Sequence, residues 1–489
     1  MAYLLALDQG TSSSRAIIFD HSGNVIAVAQ QEFTQHFPQS GWVEHDAMEI
    51  WHSQRDTIQQ VLQQSGLSAY QIAAMGIANQ RETTIIWNRK TGLPIGPAIV
   101  WQDRRTAAEC DDLRQRGHAK LIQEKTGLIL DPYFSATKIA WMLNHLPNAR
   151  AQAQAGELAF GTVDSWLAFQ LSGHRIHVSD VTNASRTMLW NIHTQNWDED
   201  LLALFDIPRS LLPVVYPSSY AFGVCNEFAS PIPIAGIAGD QQAALFGQAC
   251  FNTGMAKNTY GTGCFALLQT GGFCSHSQHG LISTAACQID QHPQYALEGS
   301  VFIGGAVVQW LRDYLHLAPS ATGIEQLANS VPDSDGVIFV PAFAGLGAPY
   351  WDANAKGAIL GLHRGSSAAH IARAAIEAIA FQTAELLQAM QKDSPTPIQE
   401  LRVDGGAANN TMLLQFQANL LGIPVVRPKV LETTALGVAY LAGLQTGIYS
   451  AVEECSSLWQ EQQRFLPQIS QDHASSRMQN WKNAVTRLL

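Results

Sequence analysis

The sequence has few positive charges and no long apolar segment. Lys and Arg number 29 against 40 Asp and Glu, which gives a formal net charge of −11 over 489 residues. Since no basic cluster stands out, we expect neither nucleic acid nor an anionic membrane surface as a partner. No apolar run reaches the roughly 18 residues of a spanning helix, so we expect no membrane insertion.

Cysteine is also scarce, and its spacing excludes two structural roles. The seven cysteines are scattered, odd in number and without a CxxC pair. This pattern is typical of free thiols in a reducing compartment rather than of a disulfide framework or a zinc site. The N-terminus lacks a basic segment, and the apolar run Tyr3 to Leu7 is too short for a signal-peptide core. We therefore expect a cytoplasmic protein.

The length and the order of the apolar runs predict the fold class. A chain of 489 residues is too long for one ordinary core, so two or more domains are expected. Strand-like runs such as Ile72 to Ala78 alternate with helical patterns such as Ala368 to Met390, which predicts α/β layers. Gly-Thr precedes a buried strand at residues 10–11 and again at 261–262. We interpret this repetition as two related domains that meet near residues 247–255.

The stretch LLALDQGTSSSRAIIFD, residues 4–20, predicts two strands joined by a long polar loop at residues 8–15. Gly10 lets the backbone approach a ligand closely, and four hydroxyl side chains follow it. A concave set of hydroxyl and backbone N–H donors suits phosphate. Asp8, at the strand end, is placed to hold a divalent cation directly or through water. From these residues alone, a hydroxyl-rich surface turn is an equally good interpretation.

Three further segments allow a functional and an ordinary interpretation. Strand, Gly-Gly and helix at residues 401–421 would let a nucleotide approach the backbone, but a tight strand-to-helix turn also fits. The polar segment at residues 79–84 lies between two predicted buried strands, where open α/β sheets place their sites. Its Arg81-Glu82 pair is also typical of an exposed ion pair. Asp240 precedes an apolar run and by spacing alone favours a helix N-cap.

Eight stretches in order carry a resemblance to a known family. They are DQGTSSSR (8–15), NQRETT (79–84), YFSATKIAWMLNH (133–145), GDQQAALFGQ (239–248), YGTGCF (260–265), GLGAPYW (345–351), GAILGLHRGSSAAHIARAAIE (357–377) and DGGAANN (404–410). With them the chain resembles the FGGY carbohydrate kinases, most closely the members that phosphorylate glycerol. The likeness implies two α/β domains of the actin/hexokinase/Hsp70 (ribonuclease H-like) type with an active-site cleft between them. Residues 1–247 and 248–489 would form these domains, each on a mixed five-stranded sheet.

The resemblance also implies a reaction and a set of site residues. The reaction is ATP-dependent phosphorylation of glycerol to sn-glycerol 3-phosphate by in-line transfer, with Asp240 as the general base. The residues that would contact glycerol are Arg81, Glu82, Tyr133, Asp240 and Gln241 at its hydroxyls, and Trp101 and Phe265 at its carbons. The residues that would bind ATP are Thr11, Ser12, Ser13, Arg15, Thr262, Gly305, Gln309, Gly406 and Asn410. Mg²⁺ would bridge the phosphates, with Asp8 and Asp240 reaching it through water.

Other functions remain open at this point. A kinase of the same family could act on another polyol or a ketose, although members for larger sugars carry other residues at Arg81-Glu82. A non-catalytic sensor of nucleotide and polyol, or an actin-like ATPase, would be a protein of another class. The resemblance further implies a homodimer or homotetramer. Residues 226–232, NEFASPI, lack the Gly-rich, Arg-containing loop with which some bacterial members bind fructose 1,6-bisphosphate, and residues 467–476 differ from their partner-binding segment.

Overall fold

The structure, a computed structural model, describes residues 2–352 and 354–489. Its strands are β1 (Tyr3–Gln9), β2 (Ser13–Asp20), β3 (Val25–Glu32), β4 (Glu44–His45), β5 (Ile72–Asn79), β6 (Ile85–Asn88), β7 (Ala98–Ile99), β8 (Leu158–Gly161), β9 (Val178–Asp180), β10 (Trp190–Asn191), β11 (Asn196–Trp197), β12 (Val214–Tyr216), β13 (Ser219–Cys225), β14 (Ile232–Gly239), β15 (Ala256–Tyr260), β16 (Cys264–Gly271), β17 (Ile282–Ala285), β18 (Tyr295–Val301), β19 (Ile338–Val340), β20 (Ala358–Leu360), β21 (Leu401–Asp404), β22 (Val425–Pro428) and β23 (Glu461–Phe465). Its α-helices are α1 (Ala47–Ser65), α2 (Ala107–Gln115), α3 (Ala119–Thr126), α4 (Ser135–His145), α5 (Ala149–Gln154), α6 (Val163–Leu171), α7 (Val181–Ala184), α8 (Glu199–Phe205), α9 (Asp240–Gly247), α10 (Ala306–Asp313), α11 (Ala321–Asn329), α12 (Ala368–Asp393), α13 (Thr411–Leu421), α14 (Thr433–Gln445), α15 (Val452–Leu458) and α16 (Gln471–Thr486).

Two mixed sheets share one topology. The first has the order β13-β14-β5-β1-β2-β3, and the second has the order β17-β18-β16-β15-β21-β22-β23. In each sheet a central strand, β1 or β15, pairs antiparallel with the next strand of the chain and parallel with a later one. The prediction of two related α/β domains is therefore confirmed. The sheets have six and seven strands rather than five, because antiparallel strands β13, β17 and β23 extend their edges.

The first hairpin is tighter than the sequence predicted. β1 and β2 pair through Asp8↔Arg15 and Gln9↔Ser14, so the connection is only residues 10–12 rather than 8–15. The strands continue through these polar residues, because the hydrogen bonds between β1 and β2 are formed by backbone groups and do not depend on side-chain polarity. The predicted polar loop is thus largely strand, and Asp8 and Arg15 lie opposite each other at its end.

Helices cover both faces of the first sheet. Buried residues of α1 and α6 belong to one apolar cluster with the strands, including Ile50, Ile58 and Trp166. Buried residues of α14, such as Val438 and Ala442, form another cluster with β1, β2 and β5. α14 therefore packs on the sheet of the first half although it lies late in the chain. Local periodicity contains no information on which sheet such a helix covers.

Several helix boundaries follow from local sequence signals. The carboxylate of Asp46 caps α1 by accepting hydrogen bonds from the backbone N–H groups of Met48 and Glu49. α13 ends at Gly422 in the left-handed conformation, and α12 spans the predicted long helix. Across residues 2–352 and 354–489, no helix combines the length and apolar character needed to cross a bilayer.

Candidate active site

The turn between β1 and β2 offers three hydroxyls rather than the four expected. Ser12 is exposed, Thr11 is partly exposed, and Ser13 is buried with 9% of its surface exposed. The Ser14 hydroxyl instead points into the core, 2.7 Å from both Gln9 Oε1 and Ser53 Oγ. Successive side chains of a strand point to opposite faces, so Ser13 and Ser14 are directed differently although both are buried. Thr11, Ser12 and Ser13 remain the predicted phosphate contacts.

Asp8 and Arg15 lie beside this turn and face the second half of the chain. The guanidinium of Arg15 donates to Glu432 Oε2 at 2.6 Å, at the start of α14. Burial raises the pKa of Asp8 to about 6, opposed by Arg15 and reinforced by the charges of Glu432 and Asp240. A carboxylate with a raised pKa and charged carboxylate neighbours gains from a nearby cation. In the described residues, no group of three or more His, Cys, Asp or Glu side chains could hold a metal ion.

The second turn, between β15 and β16, lies at the equivalent place in the second sheet. Thr262 at its tip is exposed, and its carbonyl accepts hydrogen bonds from the backbone N–H groups of Gly304 and Ala306 at 2.7 and 3.1 Å. Gly305 donates to the Gly261 carbonyl at 2.8 Å, and an added Cβ there would meet that same oxygen at 2.8 Å. The structure thus brings the predicted ATP residues Thr262 and Gly305 together.

The remaining predicted ATP residues lie on α10 and at the start of α13. Gln309 is exposed on α10, where it is accessible to a ligand. Gly406 has open space where a Cβ would lie. Asn410 caps α13, because its Oδ1 accepts the Leu413 N–H at 2.8 Å. Its amide NH₂ is the part of this side chain that would be left for a ligand.

Arg81 and Glu82 form a buried turn, not an exposed ion pair. Glu82 adopts a φ of 60°, a left-handed conformation that costs a non-glycine residue on the order of 1–3 kcal/mol. The turn is fixed by a hydrogen bond from Thr83 N to the Arg81 carbonyl and by one from the Ser135 hydroxyl to the Glu82 carbonyl. Both charged side chains are almost inaccessible to solvent, with 2% and 1% of their surfaces exposed.

The two side chains of this turn form a cluster with a second arginine and a second glutamate. Both terminal nitrogens of Arg81 donate to Glu298, at 2.5 and 2.9 Å. Arg186 donates to Glu82 at 2.6 Å and to Glu298 at 3.0 Å. Because these four charges are buried and balance in sign, each depends on the others for compensation. We call Arg81, Glu82, Arg186 and Glu298 the charge cluster.

The two carboxyl groups of the charge cluster differ in pKa. Burial disfavours ionisation of Glu298, but Arg186 and Arg81 outweigh it and lower its pKa to about 2. Burial also dominates at Glu82, whose pKa is raised despite the pull of Arg186 and Arg81. The difference follows from the contacts, since Glu298 accepts three guanidinium hydrogen bonds and Glu82 accepts one.

Asp240 lies at the rim of the charge cluster, and 29% of its side chain is exposed. Its Oδ1 is 3.3 Å from Arg81 Nε and accepts the Gln241 N–H at 2.8 Å. Asp240 is the first residue of α9, and the capping position belongs to Gly239. The N-cap interpretation of Asp240 is therefore wrong. Gly239 has a steric role, since an added Cβ would meet the Arg81 side chain at 2.7 Å.

The three aromatic residues predicted to contact glycerol also lie close together. The rings of Tyr133 and Phe265 lie edge-on to Trp101, with centroids 5.5 and 6.5 Å away. The Trp101 indole N–H donates to the Thr11 hydroxyl at 2.9 Å. This hydrogen bond links the predicted acceptor site to the first phosphate turn.

Sequence reasoning missed four charged or polar residues of the site: Arg186, Gln242, Lys257 and Glu298. Gln242 accepts a hydrogen bond from Arg81 Nη1 at 3.1 Å, and Lys257 donates to Gln241 Oε1 at 2.6 Å. A signal for two of them was present, because Lys257 and Glu298 are single charges in strand-like segments that are otherwise apolar or neutral. Single charges in buried strands require a partner.

Two domain descriptions of one family match the chain. The FGGY family of carbohydrate kinases, N-terminal domain, matches residues 3–247, and its C-terminal domain matches residues 256–446.

Full-length relatives and a solved structure give the same result. The glycerol kinase of Ralstonia nicotianae is 60% identical over 100% of this chain and 98% of its own length. That of Deinococcus radiodurans is 59% identical, over 99% and 97% of the two chains. The crystal structure of Plasmodium falciparum glycerol kinase with ADP superimposes with a TM-score of 0.93 at 35% identity, covering 100% of this chain and 98% of that one.

Proposed function

The chain belongs to the FGGY family of carbohydrate kinases, and we propose that it transfers the terminal phosphoryl group of ATP to glycerol, giving sn-glycerol 3-phosphate. The observation that carries this proposal is the buried Arg81–Glu82 turn beside Asp240, in a region that the Trp101–Thr11 hydrogen bond joins to the first hydroxyl-bearing turn. Relatives named glycerol kinase, at about 60% identity over the whole chain, support it.

The acceptor is recognised by hydrogen bonds, because glycerol has no charge to pair with. Glu82 and Asp240 supply acceptors, while Arg81 Nε and the Gln241 amide supply donors. Trp101, Tyr133 and Phe265 offer aromatic surface to the carbon chain. Glu82 keeps its orientation because Arg186 and the strained turn hold it. A preorganised polar site of this kind rejects acceptors that lack a matching hydroxyl.

Asp240 is the proposed general base. Its side chain is 29% exposed, while the carboxylates of the charge cluster, Glu82 and Glu298, are 1% and 0% exposed. A base within reach of the acceptor hydroxyl removes its proton as the oxygen attacks phosphorus.

ATP is proposed to lie against Thr11, Ser12, Ser13, Arg15, Thr262, Gly305, Gln309, Gly406 and Asn410. The residues fit a magnesium ion at the phosphates, because the Asp8 carboxyl has a raised pKa among other carboxylates and Asp240 supplies further oxygens. Mg²⁺ would supply charge neutralisation at the β- and γ-phosphates, with Asp8 and Asp240 as partners through water. The guanidinium of Arg15, which pairs with Glu432, places a positive charge at the first turn for the phosphates of ATP.

The proposal is tested by measuring ADP release from Mg-ATP by the purified protein with glycerol, with xylulose and without an acceptor. Turnover with glycerol alone is expected. Turnover with xylulose instead would keep the family mechanism and refute the assignment of glycerol. Equal ATP hydrolysis with and without acceptors would indicate an ATPase, and ATP binding without turnover would favour a non-catalytic sensor.

We also propose a cytoplasmic location and a homodimer or homotetramer, with domains at residues 1–247 and 248–489. All seven cysteines are free thiols, which suits a reducing compartment. The paired topology of the two sheets supports the domain division, although α14 packs on the first sheet. Size-exclusion chromatography with light scattering measures the assembly directly.

A further inference from the structure

Two charged residues of the second sheet contact the proposed acceptor site, and they occupy one row across its strands. Lys257 on β15 lies opposite Leu267 on β16, and Leu267 lies opposite Glu298 on β18. Side chains at directly opposed positions share a face of the sheet, so Lys257 and Glu298 point the same way from strands about 10 Å apart. Both are fully buried.

Each of these two charges binds one acceptor-recognising side chain of the first half. Glu298 accepts two hydrogen bonds from Arg81, while the Lys257 ammonium donates to Gln241 Oε1 at 2.6 Å. An ammonium can only donate, so the Gln241 carbonyl oxygen must face Lys257 and its NH₂ must face away. That NH₂ lies 3.3 Å from Asp240 Oδ2. The Lys257 contact thus fixes which end of Gln241 is available to Asp240 and to an acceptor.

Glu298 has the matching effect on Arg81. With Nη1 and Nη2 held by Glu298 and Gln242, the nitrogen directed toward Asp240 is Nε, at 3.3 Å. Without Glu298, the terminal nitrogens would be free to form a forked pair with another carboxylate. Asp240 is within reach for such a pair, which would occupy the proposed base.

We propose that Glu298 and Lys257 are positioning residues that orient Arg81 and Gln241 for the acceptor. The second half of the chain thereby sets the geometry with which the first half recognises its substrate. This inference rests on the proposed kinase function of the same site. It adds two residues that act only through others and contact no reacting atom.

The test is a double-mutant cycle between Glu298→Gln and Arg81→Ala. In Glu298→Gln the amide NH₂ would face a guanidinium N–H, so at least one of the three hydrogen bonds from Arg81 and Arg186 is lost and Arg81 is held less firmly. We expect kcat/KM for glycerol to fall by about ten-fold to a hundred-fold, with the KM for ATP changed less than about two-fold. The part of the loss that Glu298→Gln causes through Arg81 disappears in Arg81→Ala, so the double variant should lose less than the sum of the two single losses. Glu298→Asp, which keeps the charge, should recover part of the loss.

The matched control is Glu377→Gln. Glu377 is also a buried carboxylate of the second half held by two arginines, Arg373 at 2.8 Å and Arg477 at 2.7 Å. It lies on α12, and its arginine partners are not in the charge cluster. It should lose thermal stability as Glu298→Gln does, while its kcat/KM for glycerol stays at the wild-type value.

A second cycle pairs Lys257→Met with Gln241→Ala and is expected to show the same lack of additivity. Additive losses in both cycles, or an unchanged kcat/KM in folded Glu298→Gln and Lys257→Met, would overturn the proposal. If Glu298→Gln does not fold, the Lys257 cycle decides alone. Failure of the wild-type protein with glycerol would instead refute the proposed substrate, and the cycles are then measured with the acceptor that it does use.

Discussion

Replacing Asp240 by Asn separates its chemistry from its structural contacts. The Asn side chain keeps an oxygen for the Gln241 N–H, which now lies 2.8 Å from Asp240 Oδ1. Among the described residues, the ion pair lost is the 3.3 Å contact to Arg81 Nε, on a side chain that is 29% exposed. We therefore expect the free energy of unfolding to change by less than about 1 kcal/mol.

The effect on turnover should be far larger. A general base accelerates a reaction by roughly 10²- to 10⁴-fold, which corresponds to about 2.7–5.5 kcal/mol of activation free energy. With saturating Mg-ATP and glycerol, Asp240→Asn should thus lower kcat at least a hundred-fold, to about 1% or less. The assay is coupled ADP release, with thermal unfolding measured in parallel.

Asp46→Asn provides the control for this substitution. Asp46 also lies at the start of a helix, where it accepts hydrogen bonds from two backbone N–H groups, but it is not part of the charge cluster. Asn is about as good an N-cap as Asp, so both kcat and stability should be retained. If Asp240→Asn keeps more than about a tenth of wild-type kcat, Asp240 is not the base.

Three further variants test recognition, packing and pH dependence. Arg81→Ala should raise the KM for glycerol at least about ten-fold more than the KM for ATP, because the lost donors belong to the acceptor site; equal effects would contradict this role. Gly437→Ala should destabilise the fold by about 1–3 kcal/mol or more in urea unfolding, since its Cβ would lie 1.9 Å from the rigid Ala243 carbonyl oxygen; unchanged stability would mean that α9 and α14 separate readily. Burial, with a smaller effect of His36, lowers the pKa of His45 to about 4 from an ordinary 6.5. The folded state therefore keeps His45 neutral, and the free energy of unfolding is highest above pH 6.5. It decreases as the pH falls toward 4, because the unfolded state then binds a proton that the folded state does not. His45→Gln should reduce the stability difference between pH 7 and pH 5 by about 2 kcal/mol, and an undiminished difference would assign it to other groups.

The local features of the fold were largely predictable from the sequence. The strands around residues 4–20, the cap at Asp46, the end of α13 at Gly422 and the Gly-Thr repetition all follow from patterns within a few residues. The loop between β1 and β2 was predicted too long, because polar residues were taken as the end of a strand that continues through its backbone ladder.

Most of the proposed site residues were named on the motifs, and the structure brings those of the acceptor site together. Arg81, Glu82 and Asp240 are neighbours although more than 150 positions separate Glu82 from Asp240. The motifs could not predict that Arg81 and Glu82 are buried, because an adjacent Arg-Glu pair is by composition alone typical of a solvated loop. Its burial is decided by Arg186 and Glu298, which lie about 100 and 215 positions further along the chain.

The sequence by itself determined the class of the protein, because its motifs, its apolar periodicity and its repeated Gly-Thr turn are encoded in neighbouring residues. The tertiary structure alone decided which charges compensate one another, which face of a strand a hydroxyl occupies and which sheet α14 covers. The physical reason is that a buried charge is stable only beside its partner. Partners such as Lys257 and Glu298 are brought to the site by the pairing of strands and the packing of the two halves, not by their position in the chain.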